Sequence, residues 1–218
     1  MTTSPTATPA SSVADSPAES LASRPGADTR ERILAAAETL LRRHGLAKTT
    51  VVDVARMLGM SHANVYRHFA SKAELQDTLV ETWLQQVAEP LTAIATRDEP
   101  VAQRVESWLV TLVTLKRRKR FGDPELFAAY HEAAEASRAV VDRYIAEIRA
   151  QLAGLIAEGV QDGVFVTDNP QHAAITAFDA VARFTHPHLV TEVAADDIEA
   201  RAQRVVRLIL AGLTSGAL

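Results

Sequence analysis

From Asp28 to Leu218, apolar residues recur at intervals of three and four, and no stretch alternates long enough to make a half-buried strand. A chain with that periodicity can bury its apolar surface only by packing helices against one another. The first stripe holds Ile33, Ala37, Leu40 and Leu41; Asp28 and Glu31 open it as a capping pair and Gly45 closes it. A second stripe follows Thr50, with Val51, Val54, Ala55 and Leu58, and stops at Gly59. A third helix is predicted from Ser61 to about Phe69. A fourth, longer helix opens on the capping box Ser71–Glu74 and carries Leu75, Leu79, Trp83, Val87 and Leu91. Further helices are predicted over 101–119, from Pro124 after Asp123, over 137–160, from Asn169-Pro170 to the break at Pro187, and from about Asp196. Val164-Phe165-Val166 is a β-branched run too short to imply a sheet. The predicted fold class is therefore all-α.

Composition removes many chemistries. With 47% hydrophobic and 23% charged residues the chain has enough apolar material for a sizeable core. The absence of Cys excludes disulfides, thiolate metal sites, iron–sulfur clusters and cysteine nucleophiles. No apolar run approaches the roughly 20 residues of a membrane helix, and no basic-then-apolar leader is visible, so a cytoplasmic location without membrane contact is expected. Residues 1–27 hold 20 Ser, Thr, Pro or Ala residues, and only Arg24 is cationic; they read as a disordered tail. The net charge of −4 is unevenly placed. Residues 28–75 carry eight basic and five acidic side chains, whereas 76–218 carry 14 and 20. The surplus at one end suits a polyanionic partner there.

Residues 50–69 carry the most specific local pattern. A short helix ends at Gly59, the chain turns through Met60-Ser61, and a second short helix presents Ser61, His62, Asn64, Tyr66, Arg67 and His68. That is the helix-turn-helix arrangement, and polar side chains of this kind can reach phosphates and base edges in a major groove. A plain helical hairpin with a polar outer face has the same spacing.

The stretch from Arg32-Ile-Leu-Ala-Ala-Ala through Gly45, Thr49-Thr-Val-Val-Asp-Val-Ala and Leu58-Gly-Met-Ser-His-Ala-Asn-Val-Tyr-Arg-His-Phe-Ala-Ser-Lys-Ala-Glu-Leu75 resembles the N-terminal domain of the tetracycline-repressor (TetR/AcrR) family. About fifty residues carry the resemblance; the rest of the chain matches in length and helical character. Ala63 departs from the Gly often found there. The resemblance implies a homodimer on double-stranded operator DNA, with a helix-turn-helix domain at 28–75 and an effector-binding and dimerisation domain at 76–218. It places Thr50 as a helix cap at a phosphate, Ser61, Tyr66 and Lys72 on the phosphate backbone, and His62, Ala63, Asn64, Arg67 and His68 at bases or groove.

The same resemblance implies a small-molecule cavity among the later helices. Trp108, Phe127, Tyr130, Phe178 and Phe184 are candidates to line it, unless they only pack the core. His186 and His188 flank Pro187; with His131 they are candidates for a polar role in that cavity, or with His131 or Asp179 for a nitrogen- and oxygen-ligated metal. A helix terminus where imidazoles meet free carbonyls has the same pattern, and no metal or cofactor is assigned. The run Lys116–Arg120 is read as a solvated helix end, or else as a contact to an anionic ligand. Small and apolar residues on the last two long helices (Ala173, Ala177, Val181, Ala202, Val205 and Ile209) are the expected dimer interface.

The reading is a ligand-responsive transcriptional regulator: a repressor released from a palindromic operator by a small effector. The alternative is a DNA-binding regulator without a small ligand, controlled by a protein partner or by abundance. An enzyme is not expected, since no nucleophile elbow, phosphate loop or His-Glu-x-x-His pair occurs.

Overall fold

Four capping side chains cut the first fifty described residues into short helices. Asp28 accepts from the Arg30 N–H (3.4 Å), Thr50 from Asp53 (3.2 Å), Ser61 from Asn64 (3.2 Å) and Ser71 from Glu74 (3.0 Å). The resulting elements are α1 (Thr29–His44), α2 (Val51–Leu58), α3 (His62–Tyr66) and α4 (Lys72–Ala95), with a 3₁₀ turn at Leu46–Lys48. The computed structural model describes residues 28–190 and 198–218, so the predicted tail at 1–27 and the predicted helix start near Asp196 lie outside the described residues. Then come α5 (Val101–Gly122), α6 (Pro124–Ala136), α7 (Arg138–Gln161), α8 (Pro170–Ala180), the short α9 (Ala182–Thr185) and α10 (Pro187–Val190), and α11 (Ile198–Ser215). No strand occurs among the described residues. The protein is all-α, with a helix-turn-helix unit ahead of a C-terminal helical domain.

The first three helices close around Ile33, Ala36, Ala37, Leu40, Val54, Ala55, Val65 and Phe69, all buried. Arg30 lies over the Phe69 ring, 4.7 Å from its centroid, and covers that end of the cluster. From there α4 leads into the larger part, where it packs on α5 and α7, while α7 packs on α8 and α5 on α11. This helix runs through Pro90, which removes one backbone donor without ending it. Arg104 is buried on α5 and donates to the carbonyls of Ala95 and Glu99 (2.9 Å each) and to the Glu158 carboxylate, joining the end of α4 to α7.

Packing changes several sequence-based expectations. Backbone bonds continue past α3 to the Phe69 N–H, but its regular part ends at Tyr66. The segment 170–185 is not one helix: it breaks between α8 and α9 at Val181, where the chain turns its buried face. Ala173, Ala177, Val181, Ala202 and Ile209 do not face outward as an interface; all are buried within this chain. Small residues let α8 and α11 approach each other, so the intrachain seam uses them. Val205 is half-buried, and the apolar residues these helices turn outward are Ile175 and Leu208, the latter 72% exposed.

The Val164-Phe165-Val166 run is an extended tie rather than a strand. The Val166 N–H bonds to the Leu213 carbonyl (2.8 Å) on α11, and Phe165 folds back onto α7 at Gly159. A Cβ at Gly159 would lie 2.1 Å from the Phe165 ring. Gly159→Ala is expected to destabilise the fold by about 1–3 kcal/mol in denaturant titration, because the ring must leave its seat. Adding Phe165→Ala should make the alanine at 159 nearly neutral; equal costs in both backgrounds would contradict this packing.

Candidate nucleic-acid interface and effector cavity

Gly59 sets the angle between α2 and α3. It is left-handed (φ 63°, ψ 31°), the Met60 N–H reaches back to the Ala55 carbonyl (3.0 Å), and the Gly59 N–H to Arg56 (3.3 Å). With Val65 and Phe69 anchored below, His62, Ala63, Tyr66 and Arg67 turn outward on and just after α3; Ser61 is exposed at its start and Lys72 at the start of α4. Tyr66 is half exposed. Asn64 and His68 are half-buried. Eight of the nine residues expected at a nucleic acid thus lie on or beside these two short helices, and Lys72 opens α4.

Three of them, Thr50, Asn64 and Arg67, are already engaged. The Thr50 hydroxyl donates to the Asp53 carboxylate, which also takes Arg56 at 2.9 Å. These bonds, Thr50 first, hold the Asp53 carboxyl below its ordinary range. The Asn64 carboxamide accepts from the Arg67 guanidinium, while its amide nitrogen lies 3.7 Å from Met60 Sδ. Asn64 and Arg67 therefore form one unit: the amide orients the guanidinium fork that projects from α3.

A cavity of about 590 Å³ opens between α4, α5, α6, α7 and the α8–α10 region. Of the candidates named from sequence, Phe127, His131, Phe178, His186 and His188 line it. Trp108, Tyr130 and Phe184 do not. Trp108 is fully buried, with its indole N–H toward Gln151 (3.4 Å), and Phe184 is packed in the core. Tyr130 faces away from the cavity: its ring stacks on Trp83 at 4.8 Å, and its hydroxyl donates to Glu38 on α1 (3.1 Å). Burial, followed by Glu38, holds the Tyr130 hydroxyl protonated far above the usual range. An aromatic count cannot tell a lining ring from a core ring; only the helix rotation does.

The cavity also has polar walls that the aromatic pattern does not reveal. Arg149 pairs with Asp179 (3.3 Å) and Arg138 with Asp142 (3.5 Å). Lys116 has no carboxylate partner among the described residues and sits over the Tyr144 ring at 4.9 Å. Among the described residues the Tyr144 hydroxyl is buried without a partner. So Lys116–Arg120 is not a solvated helix end. Lys116 lines the cavity, Arg117 pairs with Glu199 (2.7 Å), and Lys119 donates to Gln86 (2.6 Å) above the Trp83 ring. The run lies inside α5, which continues to Gly122, so most of its members meet neighbouring helices. His186 has a lowered pKa, first from burial and then from His188 and His131.

Helix α6 joins the two regions. One face supplies Phe127 and His131 to the cavity; the other sits against α1, where Tyr130 meets Glu38 and the capping residue Asp123 meets Arg42 at 2.8 Å.

A helix-turn-helix unit set on a cavity-bearing helical domain defines a class of DNA-binding transcriptional regulators. Residues 33–78 match the family model of bacterial regulatory proteins of the tetR family, and residues 101–206 match the tetracyclin repressor-like C-terminal domain. The chain belongs to the TetR family of transcriptional regulators. It is 38% identical over 55 residues to the HTH-type transcriptional regulator TtgR of Pseudomonas putida, covering 25% of this chain and 26% of TtgR. It is 32% identical over 90 residues to the nucleoid occlusion factor SlmA of Aliivibrio fischeri, covering 41% of this chain and 46% of SlmA. The chain thus spans between a quarter and a half of these relatives. A crystal structure of the regulator FadR from Bacillus subtilis with stearoyl-CoA is similar in fold, with TM-score 0.62 and 17% identity over 83% of this chain and 97% of FadR. TtgR and FadR are named as transcriptional regulators, and no helix among the described residues of this chain is long and apolar enough to cross a membrane.

Lys116 gives this cavity a measurable charge cost. Burial, and then Lys119, lowers its pKa from 10.5 to about 8. Between about pH 8 and 10.5 the unfolded chain holds a proton that the folded chain has lost, so stability rises with pH there. Lys119, also lowered to about 8, adds to that rise. Lys116→Met should raise stability at pH 7 by roughly 1–3 kcal/mol in urea titration and flatten the rise toward pH 10. An unchanged or lower stability at pH 7 would show the ammonium to be solvated.

Proposed function

We propose that this chain is a cytoplasmic, ligand-responsive repressor that binds a palindromic operator as a homodimer and is released by a small molecule. In this reading residues 28–75 are the DNA-reading domain and 76–218 the effector-binding and dimerisation domain. The observation that carries it is the double role of α6, one face lining the cavity and the other tied to α1. A ligand that favours one position of α6 acts on the helix-turn-helix unit through two polar ties and a stacked ring pair. The cavity beside Phe127 and Phe178 supports a small ligand over control by a protein partner or abundance. Its apolar walls and the Lys116 ammonium suit an elongated apolar molecule with an acidic end; the FadR structure with stearoyl-CoA supports that class.

Tyr66, Lys72 and Ser61 are assigned to phosphates, and Thr50 to the phosphate at the start of α2. His62, Ala63 and His68 are assigned to the groove, and the Asn64–Arg67 unit to base edges. The dimer is assigned to the outward faces of α8 and α11, with Ile175, Leu208 and Val205 rather than the residues of the inner seam.

Footprinting upstream of the chain's own gene should find a palindrome that is lost when one acidic amphipathic compound is added. In gel-shift competition, Tyr66→Ala and Lys72→Ala should weaken all DNA alike. Asn64→Ala and Arg67→Ala should cost about 1–3 kcal/mol at the operator alone, and the double variant should cost little more than either. Unchanged discrimination in both single variants would contradict the base-reading assignment.

A further inference from the structure

We propose that His131, Glu135 and His188 form a divalent-metal site of the zinc type in the wall of the cavity. His131 and Glu135 are four residues apart on α6 and share one face. His188 arrives from α10 just after Pro187, and its backbone N–H bonds to His186 Nδ1 (3.4 Å). The two Nε2 atoms are 3.2 Å apart, and Glu135 Oε1 lies 3.8 Å from that of His131 and 3.9 Å from that of His188. A triangle with those edges has a circumscribed radius of about 2.1 Å, so one point is equally far from all three donors at the length of a zinc–nitrogen or zinc–oxygen bond.

The donor set agrees with the distances. Two imidazole nitrogens and one carboxylate oxygen suit zinc, and three protein ligands leave a fourth position open, as at sites that bind a further molecule. All three residues line the cavity. Glu135 and His188 side chains are more than 60% exposed and His131 is 27% exposed, so an ion can enter from solvent without unfolding anything. The pattern His186-Pro187-His188 alone does not reveal this set. His186 holds the backbone of His188 rather than facing the ion, Asp179 is paired with Arg149, and the third ligand is the unremarked Glu135. The same contacts without an ion would be an imidazole–imidazole hydrogen bond beside a carboxylate, and metal uptake separates the two.

The test needs neither operator nor effector, so it stands or falls apart from the regulatory reading. Untagged full-length protein, stripped with a chelator, is titrated with Zn²⁺ by calorimetry, and with Co²⁺ while visible absorption is followed. The expected result is one ion per chain, a Co²⁺ spectrum of low coordination number, and a Zn²⁺-dependent rise in melting temperature. His131→Ala, Glu135→Gln and His188→Ala should each lower Zn²⁺ affinity at least about tenfold and lose the thermal shift, while His186→Ala retains binding. No uptake by the unsubstituted chain at micromolar Zn²⁺, or uptake that the three variants leave unchanged, would overturn the site.

Discussion

The seating of α6 against α1 is the contact on which the rest of the architecture depends. Asp123 caps α6 and pairs with Arg42; two turns further on, Tyr130 donates to Glu38 while its ring lies flat on Trp83 of α4. Each tie is modest. A partly exposed ion pair is worth about 0.2–1 kcal/mol, a hydrogen bond to a charged group about 1.5–3, and an aromatic pair about 0.5–1.5 beyond its burial. Together they can fix the position of a small helical unit, yet they are weak enough for a ligand to break. Moving a two-state equilibrium from one extreme to the other takes about 5.5 kcal/mol of differential binding, which is the same order.

Trp83 concentrates that coupling. It sits on the long helix that leaves the helix-turn-helix unit, carries Tyr130 on one side and the Lys119 ammonium near its ring, and still contributes to the cavity wall. In the proposed function, a molecule that pressed on Trp83 or Phe127 would act on both paths to the first helices, through α4 and through α6. The uncompensated Lys116 ammonium and the unpartnered Tyr144 hydroxyl beneath it stand on the same wall. Buried polar groups of this kind cost stability, and such costs gather where something binds.

The helices and the side chains that the second short helix turns outward were legible because local chemistry determines them. Thr50, Ser61 and Ser71 cap where their spacing says, and Gly59 turns where only a left-handed residue is easy. The inner assignments were less legible. Whether Tyr130 faces the cavity or α1, and whether Ala177 faces a partner or α11, depends on how a helix is rotated, and periodicity marks an apolar face without naming what it meets. Lys116–Arg120 looked like a solvated end because its partners Gln86 and Glu199 lie far away in sequence. Glu135 drew no notice for a related reason: its ligand geometry exists only once α10 folds back over α6.

The direct test of the coupling is a pair of interspin distances. The sequence has no Cys, so Glu31→Cys, at an exposed position of α1, gives one label per chain, and pulsed dipolar spectroscopy then reports the spacing of the two α1 helices in a dimer. With both α6 ties intact, one narrow distance is expected in the free protein. Tyr130→Phe combined with Arg42→Ala should broaden or displace it, while operator DNA restores it. A distribution that the double substitution leaves unchanged would contradict the account, because the first helices would then be held by something other than α6.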